Sequence, residues 1–132
     1  MAVILIVDDE EFLSDLAQLM IEDMGHSTCT ARTFDEAMAV LRRSDPIDAL
    51  FTDIRFDRSA LAGYNLARQA IKLRPQLRVL YASGSAPIET TKALFVRGAC
   101  FVQKPYSQEQ LELAIQALLA APDPQTRSTP SP

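Results

Sequence analysis

Cysteine is scarce in this 132-residue chain. Cys29 and Cys100 are too few for a disulfide framework or a zinc site. Long apolar runs are absent as well. The longest, Met1 to Val7, is far too short to span a bilayer and has no basic stretch before it. Asp8-Asp9-Glu10-Glu11 follows it at once, which excludes a signal peptide. There is no basic run either. Thirteen Lys and Arg stand against seventeen Asp and Glu, a net charge of −4. Such a chain lacks the electrostatic footprint for binding nucleic acid or an anionic membrane. With 48% hydrophobic residues it is not disordered throughout. Its length fits one domain that buries roughly two-thirds of its unfolded surface. The expectation is a cytoplasmic globular domain.

What is present is an alternation of two periodicities. Ala2 to Val7 is a continuous apolar run, as in a strand buried on both faces. Glu10 to Met24 spaces Phe12, Leu16, Leu19, Met20 and Met24 as a helix would, and Gly25 stops it. Ser27 to Ala31 reads as a short strand. Thr33 and Glu36 form a capping-box pattern that opens a helix to about Arg43, packing Ala37, Val40 and Leu41. Ile47 to Thr52 is a further apolar strand ending on Asp53, followed by a helix from Leu61 to Leu73. Arg78 to Ala82 is a strand ending at Ser83-Gly84-Ser85, with a helix from Ile88 to Arg97 after it. Cys100 to Gln103 is the last strand, closed by Lys104-Pro105. The final helix, Ser107 to Ala120, buries Leu111, Leu113, Ile115, Leu118 and Leu119. Five rounds of strand then helix predict a five-stranded parallel sheet with helices on both faces. Residues 122–132 hold four of the eight prolines; residues 1–121 are expected to form the domain and 122–132 a flexible tail or linker start.

Ligands of open parallel α/β sheets sit at the carboxyl ends of the strands. Here those ends carry Asp8 and Asp9, then Asp53, then Ser83, then Lys104. Three carboxylates a few ångströms apart repel by roughly 4 kcal/mol per pair at an effective dielectric near 20. A divalent cation relieves this, and an all-oxygen donor set favours Mg²⁺ over zinc. A lysine and a hydroxyl aimed at the same point suit phosphoryl transfer, in which a carboxylate can itself be the nucleophile.

On Ile6-Val7-Asp8-Asp9-Glu10, Thr52-Asp53-Ile54-Arg55, Ala82-Ser83-Gly84 and Phe101-Val102-Gln103-Lys104-Pro105, the chain resembles a bacterial two-component response-regulator receiver domain over about residues 2–120. The resemblance implies a flavodoxin-like fold with strand order 2-1-3-4-5. It implies that Asp53 is the phospho-acceptor, taking the group from a histidine kinase or a histidine phosphotransfer protein. Asp9, Asp53 and the backbone carbonyl of Arg55 would hold Mg²⁺, with Asp8 acting through a water. Lys104 would pair with the phosphoryl oxygens, Ser83 would donate its hydroxyl to them, and Phe101 would be the aromatic switch. The Lys104–Pro105 peptide is expected to be cis. Arg55 and Ser85 occupy positions that tune phosphoryl lifetime, and Phe95, Phe101 and Tyr106 fall on the surface used for a downstream partner. His26 reads as a loop residue rather than a phosphocarrier, so the donor is another molecule.

The sequence departs from the family pattern after the acceptor, where Phe56-Asp57-Arg58-Ser59 replaces the usual Met-Pro pair. Cys100 stands where many members have an acid used in a charge-paired dimer, so any homodimer is expected to be weak. The expected role is a signalling switch rather than an enzyme, catalysing only its own phosphorylation and slow dephosphorylation. A Mg²⁺-dependent phosphatase with an aspartyl nucleophile would carry a second acid where Arg55 stands. Two alternatives stay open: a constitutive interaction module that no longer switches, and the receiver part of a longer protein whose output domain is not included.

Overall fold

The computed structural model describes residues 1–122; of the tail reading, all but Pro122 lies outside the described residues. The chain runs β1 (Val3–Val7), α1 (Glu11–Asp23), β2 (Ser27–Ala31), α2 (Phe34–Arg42), β3 (Ala49–Asp53), α3 (Ala62–Leu73), β4 (Arg78–Ser83), α4 (Glu89–Lys92), β5 (Cys100–Gln103) and α5 (Gln108–Ala120). All strands are parallel, in the order β2-β1-β3-β4-β5. This is the predicted sheet. Cys29 and Cys100 fall in its two opposite edge strands.

The continuous apolar runs of β1, β3 and β4 follow from burial on both faces. Leu5, Val7, Leu50, Val79 and Tyr81 pack on one side with Met38, Leu41, Leu66 and Ala67 of α2 and α3. Ile4, Ile6, Phe51, Leu80 and Val102 pack on the other with Ala17, Ile21, Leu111, Ile115 and Leu118 of α1 and α5. Each fully buried aliphatic side chain contributes roughly 1.5–3 kcal/mol. Thr33 Oγ1 accepts the Glu36 N–H at the start of α2, and Ser107 Oγ accepts that of Gln110 at the start of α5.

Two expectations need correction. The helix expected over Ile88–Arg97 is a single turn, Glu89–Lys92. Thr91 spends its hydroxyl on the Ile88 backbone, as β-branched hydroxyl residues do at helix starts. Beyond it the backbone tightens to three-residue bonds, Leu94 to Thr91 and Phe95 to Lys92. The Val96 N–H then leaves the helical path for the Tyr81 hydroxyl, 3.2 Å away.

The packing face of α1 is built largely from its smaller residues. Ser14, Ala17 and Ile21 are buried, while Phe12 and Leu19 are 75% and 66% exposed. Ser14 and Ala17 let the helix lie close to the sheet, Met20, Ile21 and Met24 pack on the core, and Phe12, Leu16 and Leu19 are left on the outer face. In α5, likewise, Leu113 is exposed rather than buried. Among the described residues no helix is long and apolar enough to cross a membrane.

Candidate functional site

The strand order reverses between the neighbouring strands β1 and β3, and a crevice opens above their carboxyl ends. Asp8 and Asp9 follow β1, Asp53 closes β3, Ser83 closes β4, and Lys104 follows β5. One carboxylate oxygen each from Asp8, Asp9 and Asp53 falls within 4.8 Å of the others. The Lys104 ammonium reaches into the same space, donating to Asp53 Oδ2 at 3.1 Å and to Asp8 Oδ2 at 3.3 Å.

Each side chain is held from below by the sheet. The Asp8 N–H donates to the Ala31 carbonyl of the neighbouring strand, and Asp8 Oδ1 accepts the Glu10 N–H at 2.9 Å. The wholly buried Thr52 gives its hydroxyl to the Asp53 carbonyl. The Ile54 N–H continues the β3–β4 ladder to the Ala82 carbonyl. The Lys104 N–H donates to the Ser83 carbonyl at 2.8 Å, so β5 extends far enough to carry the lysine over the crevice. The Lys104–Pro105 peptide is cis.

Burial and charge pull the ionisable groups in opposite directions. Burial pushes the Asp53 carboxyl up to about 6, with Asp8 and Asp9 adding to the effect and Lys104 opposing it. Desolvation dominates here because the site is recessed, the Asp53 side chain being 13% exposed. Burial draws the Lys104 ammonium down, but Asp53 and Asp8 outweigh it and its pKa is raised. The cluster sets three acidic side chains against one ammonium. Hard oxygen donors with uncompensated negative charge are the donor set for Mg²⁺, and the residues fit that ion.

The other residues singled out by sequence fall in two places. Arg55, Ser83, Ser85 and Phe101 line one cleft of about 250 Å³, together with Leu61 and Thr91. Ser83 Oγ accepts the Ser85 N–H at 3.2 Å. Phe101 is half-buried and stacks on Phe95, which packs in turn on Tyr81 and Tyr64. Tyr106 lies apart from these, packing on Phe51 on the α1/α5 side of the sheet. Tyr106 and the pair Phe95 and Phe101 thus pack against opposite sides of the sheet, on either side of the edge strand β5.

Two features escaped the sequence reading. Phe12, Leu16 and Leu19 form an exposed apolar stripe on α1, at i, i+4 and i+7. Beside it, Leu13 and Leu16 join Gly84, Lys104, Pro105 and Tyr106 around a cavity of about 430 Å³ at the rim of the crevice. The signal was available in the small residues Ser14 and Ala17, which mark the buried face.

A family model for the response regulator receiver domain matches residues 4–116. The chain belongs to this family. It is 37% identical over 117 residues to the nitrogen assimilation regulatory protein NtrX of Azorhizobium caulinodans, covering 88% of this chain and 26% of that protein. Among solved structures, a response regulator receiver protein from Sinorhizobium medicae superposes with a TM-score of 0.81 at 30% identity, over 91% of this chain and 95% of its own. NtrX from Brucella abortus gives 0.79 at 37% identity, over 89% of this chain and 26% of its own. This receiver domain spans about a quarter of the length of the NtrX proteins it matches. It is a receiver domain of two-component signalling with an acidic cluster at the carboxyl edge of its sheet.

Proposed function

We propose that this receiver accepts a phosphoryl group on Asp53 with Mg²⁺ and acts as a phosphorylation-controlled protein-interaction switch. The observation that carries the reading is the Asp53 carboxylate, recessed beneath Lys104 with Asp8 and Asp9 oxygens within 4.8 Å. With its pKa near 6, Asp53 is ionised at cytoplasmic pH and available as a nucleophile. Asp9, Asp53 and the Arg55 carbonyl would hold Mg²⁺, with Asp8 acting through a water, and the ion would neutralise charge on the phosphoryl oxygens.

An Asp53 carboxylate oxygen attacks phosphorus in line. The bond from phosphorus to the donor's imidazole nitrogen breaks, its electron pair staying on that nitrogen, and an acyl phosphate forms. Lys104, already within 3.1 Å of Asp53, turns from the carboxylate to the phosphoryl oxygens. Ser83 gives its hydroxyl to the same oxygens, giving up its bond from the Ser85 N–H. Since Ser83 and Phe101 line one cleft, that movement changes the packing of Phe101 and the adjacent surface. Attack of water on phosphorus releases inorganic phosphate and restores Asp53. The domain is a switch that catalyses only these two steps upon itself, in the cytoplasm.

The donor is a histidine kinase or histidine phosphotransfer protein, and the exposed stripe of Phe12, Leu16 and Leu19 beside the crevice supports docking of a helical partner there. The test is intact mass after incubation with a small-molecule phosphodonor, with and without Mg²⁺, on the wild type and Asp53→Asn. A Mg²⁺-dependent gain of one phosphoryl group, absent from the variant, is expected. No gain while Mg²⁺ demonstrably binds would overturn the reading in favour of a constitutive interaction module.

A further inference from the structure

The loop after Asp53, in which Phe56-Asp57-Arg58-Ser59 departs from the family pattern, is a turn of unusual hand. Asp57 and Arg58 have φ of 56° and 60°, and the Ser59 N–H donates to the Phe56 carbonyl at 2.9 Å. Positive φ at both central positions defines the mirror-image turn that normally calls for Asn-Gly. Neither residue here is glycine, so the conformation is held from outside the turn. Phe56, 1% exposed, anchors one end in the core.

Asp57 supplies the other anchor, in two directions. Its carboxylate Oδ2 accepts the Phe34 N–H at 2.7 Å. Phe34 is the first residue of α2, whose N-cap Thr33 serves Glu36 instead, so Asp57 satisfies a helix-end donor from 23 residues away. Its own backbone N–H donates to Asp9 Oδ2 at 3.2 Å. Among the described residues this N–H is the one hydrogen-bond donor to the Asp9 carboxylate, whereas Asp8 and Asp53 are both held by Lys104. The chain of contacts runs from the α2 N-terminus through Asp57 to Asp9.

We infer that Asp57 is a positioning residue: by fastening the turn to α2 it fixes the backbone N–H that orients the Asp9 carboxylate for Mg²⁺. The inference rests on the reading of Asp9 as a metal ligand. Groups that orient a metal ligand by a hydrogen bond typically alter affinity 10- to 100-fold when removed. Asp57 acts through a backbone N–H that its loss sets loose without deleting, so the lower end, roughly tenfold, applies.

Three variants separate positioning from charge and from simple helix capping. Asp57→Gly keeps the N–H and the positive φ but loses the anchor. Asp57→Asn keeps an acceptor for the Phe34 N–H and tolerates the left-handed backbone while removing the charge. Phe34→Pro removes the donor from α2 at a first-turn position where proline fits, leaving Asp57 intact. Mg²⁺ dissociation constants would be measured by titration calorimetry, with melting temperatures alongside. Asp57→Gly and Phe34→Pro are expected to weaken Mg²⁺ roughly tenfold, while Asp57→Asn stays within about twofold of the wild type. Wild-type affinity in the first two, even with lower melting temperatures, would reduce Asp57 to a helix cap and overturn the inference. Equal weakening in Asp57→Asn would assign the effect to charge and overturn it too. Should the wild type itself not bind Mg²⁺, the metal-ligand reading fails, and the inference with it.

Discussion

Gly63, the second residue of α3, lies directly against the end of the strand that presents Asp53. A Cβ at this position would overlap the Asp53 carbonyl oxygen and stand 2.7 Å from Ile54 Cα. The Gly63 N–H meanwhile donates to the Ile54 carbonyl at 2.8 Å. The helix start and the acceptor strand are thus in backbone contact, and only hydrogen fits between them. Alanine would favour the helix by about 1 kcal/mol on propensity alone, but overpacking against backbone, which cannot yield as a flexible side chain does, costs about 1–3 kcal/mol. Gly63→Ala is therefore expected to lower unfolding free energy by up to about 2 kcal/mol in urea denaturation and to weaken Mg²⁺ binding by displacing Asp53. A stabilised variant would refute the contact.

Asp53 should also make the metal-free protein less stable as pH rises. Its carboxyl is pushed from 3.8 to about 6 by burial, so the folded state holds the proton more tightly than the unfolded chain. Stability from this group is fully present below about pH 4 and lost as pH rises through about 6. The full shift is worth at most about 3 kcal/mol, and about half that once partial solvent access is allowed for. In chelator, Asp53→Asn is expected to exceed the wild type by about 1–2 kcal/mol near pH 7.5, the gap closing toward pH 4. Urea denaturation across this range checks it, and a gap that widens toward acid would reverse the sign. Added Mg²⁺ should raise the wild-type melting temperature and have far less effect on the variant.

Much of this was legible in the chain. The apolar runs that end on Asp8, Asp53 and Ser83 carry both the strand assignment and the site, because a strand buried on both faces is continuous in apolar residues and its carboxyl end is where a parallel sheet opens. Gly63 was not legible, since its need for hydrogen arises from a contact with residues nine and ten positions earlier. Nor was the end of α4. Nothing local in Lys92 to Arg97 forbids a helix; the Tyr81 hydroxyl, 15 residues away, takes the Val96 N–H. On α1 the spacing of large apolar residues shows the helix but not its buried face, which Ser14, Ala17 and Ile21 mark. Asp57 looked like a loop acid until its two partners, Phe34 and Asp9, were in place.

The stripe on α1 yields a prediction about the phosphoryl donor. Phe12 and Leu19 are mostly exposed, so replacing both with serine should leave folding within about 0.5 kcal/mol of the wild type. If a helical partner covers the stripe, losing two apolar anchors should slow transfer from a phosphorylated histidine protein at least tenfold, each buried anchor contributing about 1–2 kcal/mol. Phosphorylation by a small-molecule donor, which needs no such surface, should proceed at the wild-type rate. Parallel loss with both donors would locate the defect in the site itself.

The last prediction concerns the segment between α4 and β5. Tyr81 is fully buried, its ring 4.7 Å from that of Phe95 and 5.2 Å from that of Tyr64, centroid to centroid. Burial pushes its hydroxyl up to about 12. That hydroxyl accepts the Val96 N–H at 3.2 Å in the buried interior. Tyr81→Phe keeps the ring and its packing but leaves a buried amide without an acceptor, a loss of about 1–3 kcal/mol. Because Val96 sits where the single turn of α4 gives way to β5, the loss should be local. Amide exchange is expected to accelerate across residues 93–99 well beyond its change in β1 or β3, whose ladders the substitution does not touch. Freed from Tyr81, this segment should also let Phe101 repack more readily through its contact with Phe95. Uniform acceleration across all strands would show that Tyr81 supports the core as a whole and does not fasten this segment.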